Sequence, residues 1–304
     1  MGRVIRQIFG QRPADTVTLV FLFFLIALTL SNYRVIPTAP FLLILYSALV
    51  IIQIVLIRFR NGGRFLGYVY DLIFPVLCVL LVFDSLGRIV HYVNPEDIDP
   101  VLIRLDYLIF GGDPAVMLEK IMNPFLTDVL EIAYTTYYFM AISLGVMLLL
   151  HHKREEFNRT IFLVLFCFYL SYLGYILFPA LGPRFAIRDL QVVPLRGFLV
   201  AEPIQNFLNW LEGIKRDAFP SGHTAIALTV LYLSYKFEKR LFRILLPAVL
   251  ALIFSTVYCR YHYVVDVLAG MVLTVITIVL GQLYYGWWRS KGWVRSNSER
   301  QGFI

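Results

Sequence analysis

Four stretches of the chain, residues 16–33, 35–57, 160–183 and 267–288, contain no Asp, Glu, Lys or Arg. About 20 apolar helical residues cross the roughly 30 Å hydrocarbon core of a bilayer. Soluble domains carry about a quarter charged residues, whereas here the share is 15%. The deficit is concentrated in those runs. The fold class expected is therefore an all-α integral membrane protein, a bundle of about eight transmembrane helices. The spans are placed at about 16–34, 40–58, 66–90, 128–150, 160–180, 221–236, 241–259 and 262–287.

The net charge of +7 follows the same plan. With the N-terminus inside, the cytoplasmic segments are "MGRVIRQIFGQRP", "RFRNGGR", "HHKREEFNR", "KFEKRLFR" and "RSKGWVRSNSER". They hold 17 of the 27 Lys and Arg residues, as the positive-inside rule requires. No soluble domain concentrates the charge, which argues against nucleic acid as a partner. The first span is too long for a secretory signal and no small-residue cleavage site follows it, so it is read as uncleaved. Cys78, Cys167 and Cys259 fit no zinc or redox spacing and are assigned to packing. Three parts are expected: N-terminal helices over 1–92, a catalytic membrane core with two outer connections over 93–288, and a cytoplasmic tail over 289–304. In the first connection, "PVLIRLDYLIF" suits a helix lying in the membrane interface. In the second, Ile204, Phe207, Leu208, Leu211 and Ile214 share one helical face, which suits either a lid or an interfacial anchor.

Two polar clusters stand at the mouths of apolar spans. "AFPSGHTA" (218–225) places Ser221, Gly222 and His223 at a helix start. Exposed N–H groups and the positive end of the helix dipole favour an anion there, and a histidine beside it exchanges protons near neutral pH. A capped helix carrying an incidental histidine fits the same residues. "STVYCRYHYVVDVLAG" (255–270) puts His262 and Asp266 four apart on one helical face, with Arg260 close by. A carboxylate so placed can fix the imidazole tautomer and leave the other nitrogen as nucleophile or base. Ionisable groups at a membrane helix end mark function by default, although a structural pair has the same spacing. The topology puts both clusters, and the "GPRF" end of the fifth span, on one side of the membrane. Glu131, with Tyr134 and Tyr138 on its helical face, suits either the lining of a head-group site or a satisfied carboxylate inside the bundle.

"PSGH" followed by "HYVVD" resembles the second and third motifs of the type 2 phosphatidic acid phosphatase superfamily, over roughly residues 170–285. Residues 108–139 resemble the branch containing inositol phosphorylceramide synthases. The resemblance implies a six-helix phosphatase-type core without metal or other cofactor. It implies His262 as the residue that attacks phosphorus, Asp266 as its orienting partner and His223 as the acid for the departing oxygen. Ser221, Gly222 and Arg184 would hold the phosphoryl oxygens. Two family positions differ. Leu177 stands where the first motif has lysine, and Thr256 stands where the third has arginine. Arg260, or Lys215, Arg216 or Arg188 from the second connection, is expected to supply the missing charge.

The function expected is a metal-independent lipid phosphatase acting on a phosphomonoester or diphosphate. Its active site would face the periplasm, exterior or organelle lumen of a cell or inner membrane. Its partners would be the bilayer and a membrane lipid carrying a phosphate or phosphodiester head group. A phosphotransferase that passes the phosphate to an alcohol uses the same residues. A lipid or anion transporter is the rival of another class, against which stand the absence of an inverted repeat and of interrupted helix pairs.

Overall fold

The computed structural model describes residues 12–60, 62–211 and 214–291, and the side chains of all of these except 208–211. The basic stretch at 1–11, most of the tail at 289–304, and the Leu208 and Leu211 side chains lie outside the described residues. What is described is helical, without strands. In chain order the main helices are α1 (Pro13–Ser31), α2 (Ala39–Phe59), α3 (Arg64–Leu86), α4 (Asp99–Phe110), α5 (Pro124–Thr135) and α6 (Tyr137–Leu150). They continue as α7 (Arg154–Leu177), α8 (Ala201–Leu211), α9 (Gly222–Phe237), α10 (Lys239–Tyr258) and α11 (Val264–Ser290).

Among the described residues, six helices are long and apolar enough to cross a membrane: α1, α2, α3, α7, α10 and α11. The α5–α6 pair makes a seventh if taken as one span bent by 43°. The bend has a local cause. Thr135 and Thr136 turn their hydroxyls back onto the carbonyls of Ile132 and Ala133, at 2.8 and 2.6 Å, and such back-bonding bends helices. The expected span at 221–236 is present as a helix of the same length, shifted by one residue. Its helix, α9, has 16 residues, about 24 Å at 1.5 Å per residue. It is walled in by α6, α7, α10 and α11, with Ala225, Ala227, Val230 and Leu233 fully buried. Small residues such as Ala225 and Ala227 let helices approach closely in lipid, where apolar surface alone gives little drive to associate.

The expected interfacial helix is α4, and it is inside-out. Asp99, Leu102 and Asp106 are buried while Val101, Leu105, Leu108 and Ile109 are exposed. Its two aspartates fasten the end of the bundle that carries both motif clusters. At the opposite end Arg12 pairs with Asp15 and Asp71 at 3.2 and 2.9 Å, tying α1 to α3.

Candidate active site

His262 lies between α10 and α11, and its ring is held on both sides. Nδ1 is 2.8 Å from the carbonyl oxygen of Ala218 and 3.5 Å from Oδ2 of Asp266. A carbonyl only accepts, so Nδ1 carries the proton and Nε2 is left with its lone pair. That Nε2 faces Nδ1 of His223 at 3.5 Å. The sequence spacing pointed to Asp266 as the orienting group, but the shorter bond comes from the Ala218 backbone. Asp266 divides its service, since its Oδ2 also accepts the Tyr263 N–H at 2.9 Å and caps α11.

His223 sits in the first turn of α9, 9% exposed, between the rings of Tyr134 and Tyr137 at centroid distances of 4.5 and 4.4 Å. Its Nε2 is buried without a hydrogen-bond partner among the described residues. Tyr261 stacks on Tyr134 from the far side at 4.3 Å, and its hydroxyl donates to Glu131 at 3.2 Å. Glu131, fully buried, is therefore the satisfied interior carboxylate of the two alternatives, and it holds the aromatic stack. It also accepts from Gln205 of α8 at 2.8 Å. One turn earlier, Asp128 accepts the backbone N–H groups of residues 198–201, at 2.8 to 3.1 Å. The second connection is thus fastened to α5 at two points.

A small cavity of about 50 Å³ opens onto both histidines, lined also by Arg184, Lys215, Asp217 and Tyr261. Arg184 is placed by its backbone N–H, which donates to the Arg260 carbonyl at 2.9 Å. Ser221 and Gly222 lie behind the cavity wall. The Ser221 hydroxyl accepts from the Thr224 N–H at 3.3 Å as the cap of α9. A Cβ at Gly222 would stand 2.1 Å from the Tyr175 hydroxyl, so glycine is required there by packing.

Two residues that the sequence did not single out set this frame. Asp99 accepts the Leu181 and Gly182 N–H groups at 2.8 and 2.9 Å and the Tyr263 hydroxyl at 2.9 Å. Asp106 accepts the Val264 and Val265 N–H groups, both at 2.9 Å. A carboxylate on the opening N–H groups of a helix satisfies orphan donors and complements the dipole. Burial raises the Asp106 carboxyl above the usual carboxylate range, and the two backbone donors oppose that shift.

A family model described as the PAP2 superfamily matches residues 110–280, more than half of the chain. The chain belongs to the PAP2 superfamily. It is similar to a PA-phosphatase related-family protein of Dictyostelium discoideum, 30% identical over 112 residues. That alignment covers 36% of this chain and 20% of the relative, so the chain spans about a fifth of that protein's length. No solved structure matches. Membership of this phosphatase-type superfamily agrees with a multi-pass membrane protein.

Within the PAP2 superfamily pattern, the two departures have structural counterparts. Thr256 is fully buried, and its carbonyl accepts the N–H groups of Tyr261 and His262 at 2.9 Å, so the backbone of this position holds the loop that carries His262. Leu177 is 52% exposed at the end of α7. The expectation that Arg260 or Arg216 replaces these cations is corrected. Arg260 bonds Glu119 at 2.6 Å, the Val193 carbonyl at 2.7 Å and Gln191 at 3.2 Å. Arg216 bonds Asp97 and the carbonyls of Asn94 and Pro95. Each guanidinium clamps one outer connection to the other, and neither lines the cavity. Of the four candidates only Lys215 does.

Burial lowers the Arg260 guanidinium, and Glu119 opposes that shift. Removing one partner of such a buried pair strands the other, typically at a cost of about 3–5 kcal/mol. Arg260→Ala is therefore expected to lower the thermal midpoint markedly while the folded fraction keeps its turnover within a few-fold. A stable but inactive variant would return Arg260 to the phosphate site.

Proposed function

We propose that this protein is a lipid phosphatase that works through a phosphohistidine at His262. The observation that carries the reading is the fixed tautomer of His262. Its Nδ1–H is committed to the Ala218 carbonyl, and its Nε2 lone pair points to the cavity shared with His223. A phosphate seated between Arg184 and Lys215 would present phosphorus to Nε2. The N–P bond forms as the bond to the lipid oxygen breaks, and His223 gives that oxygen its proton. Water then attacks phosphorus with His223 as base, the N–P bond breaks and phosphate leaves. Charge grows on the equatorial oxygens along this path, and the two cations lining the cavity would stabilise it. The positive-inside distribution supports a site on the exterior or lumenal face. A relative named for phosphatidic acid phosphatase agrees with phosphate-ester chemistry.

The test is release of inorganic phosphate by the purified protein with EDTA present. Phosphatidic acid, a polyprenyl diphosphate, phosphatidylglycerol phosphate and a sphingoid phosphate form the substrate panel. Release that survives EDTA supports the reading. Phosphate passed to an added alcohol acceptor, with none freed to water, would replace phosphatase by phosphotransferase. Saturable binding without any bond cleavage would favour a transporter.

A further inference from the structure

His223 lines a second cavity, and this one is unlike the first. It is a groove of about 170 Å³ between α3, α6 and α7, walled by apolar groups such as Val79, Ala141, Val164 and Phe168. Asp217 and Tyr175 join His223 at its upper end, and Asp71 and Phe157 lie at the other. Along α7 the distance from Phe157 to Tyr175 is about 27 Å at 1.5 Å per residue, close to the roughly 30 Å depth of a bilayer core. A volume of that size drawn out over that length admits one chain and not two side by side. The lower end is closed by charge. Asp71, 4% exposed in a π-helical turn at Val69–Ile73, is bonded to Arg12 at 2.9 Å and to Arg154 at 2.5 Å. A hydrocarbon tail cannot displace the buried Arg12–Asp71 pair, which the half-exposed Arg154 backs from outside, without stranding its charges.

We propose that this groove holds the single long hydrocarbon chain of the lipid phosphate substrate, and that the Arg12–Asp71–Arg154 cluster sets the longest chain it accepts. The inference rests on the phosphatase reading, because His223 belongs to both cavities. A phosphate in the small one and a chain in the groove put the ester oxygen between them, at the imidazole that would protonate it. The substrate class is then a single-chain lipid phosphate in preference to a two-chain glycerolipid.

Gly145 offers the means of testing this. A Cβ there meets Phe157 and Leu72 at 3.5 and 3.7 Å, ordinary contacts, so a larger side chain enters the lower groove without disturbing the histidines. In nanodiscs, n-alkyl phosphates of increasing length are compared at equal mole fraction, beside phosphatidic acid. Wild type is expected to turn over chains up to the depth of the groove and to fall off beyond it. Gly145→Leu should move that limit to shorter chains, cutting the ratio of long-chain to short-chain turnover at least about tenfold. Identical length profiles in two active proteins, or phosphatidic acid turned over as fast as the best alkyl phosphate, would overturn the groove assignment.

A second measurement stands apart from catalysis. A long-chain alkyl phosphate with a photoreactive group at its tail end should label peptides holding residues 72–80, 141–145 or 157–164. Excess unlabelled lipid and Gly145→Leu should each suppress the labelling. Labelling that neither suppresses overturns the proposal even if no phosphate is ever released. Suppressible labelling without turnover would keep the groove and sink the phosphatase reading alone.

Discussion

His262→Ala is expected to reduce phosphate release by at least about 10³-fold, the scale seen when a nucleophile that acts as a unit with its base is removed. No other described side chain at the cavity presents a lone pair fixed by a backbone bond on the opposite atom. Arg184 and Lys215 would still bind and polarise the phosphate, so some weak turnover by water can persist. The hazard is structural, because His262 is 3% exposed and its loss leaves the Ala218 carbonyl unpaired, a cost of about 1–3 kcal/mol. His262→Gln separates the two effects, since a side-chain amide can donate to Ala218 but forms no phosphoenzyme. Both variants inactive, with the glutamine form as stable as wild type, would support the nucleophile. An active glutamine variant would show that position 262 only holds the loop.

Much of the fold could be read from charge alone. Uncharged runs fixed where α1, α2, α7 and α11 lie, because no polar alternative competes for 20 such residues in a row. The bend at Thr136 and the enclosure of α9 by protein were less visible. Hydropathy reports how apolar a segment is, and it says nothing about whether lipid or protein surrounds it. The site divides in a similar way. His223, His262 and Asp266 announced themselves because ionisable residues at the mouth of an apolar helix have few bland explanations. Ala218 could not, since its part is played by a carbonyl that every residue owns. Asp99 and Asp106 left a signal that hydropathy patterning misreads. They are seven apart on α4 and so share one face, and that face turned inward because its carboxylates serve the backbone of Gly182 and Val264. Arg260 and Arg216 misled for the opposite reason. A guanidinium near a phosphate motif invites a ligand role, but Glu119 and Asp97, more than a hundred residues away along the chain, compete for it and win.

Gly270→Ala should cost about 10²-fold in kcat/KM while the protein still folds. The Cβ it adds would stand 2.5 Å from the Ser221 carbonyl oxygen and 3.0 Å from the Thr224 Cβ. The first of these is backbone and cannot swing aside, so α9 and α11 must part by something near 1 Å. Their first turns are joined by the Ser221 N–H donating to the Asp266 carbonyl at 3.0 Å, and each carries one side of the proposed reaction. Parting them draws His223 away from His262, and a misplacement of about 1 Å at reacting groups is enough for that loss of rate. Overpacking itself would cost about 1–3 kcal/mol of stability. Gly281→Ala isolates that component. It lies three turns further along α11, where the new Cβ is crowded by the flexible end of Leu163 at 2.3 Å and touches Phe166 and Phe162 at ordinary distances of 3.5 and 3.6 Å, so it should lower stability and spare activity. Equal activity per folded molecule in the two variants would mean that the close approach of α9 to α11 serves packing alone. A selective loss in Gly270→Ala would tie the catalytic geometry to the absence of one methyl group.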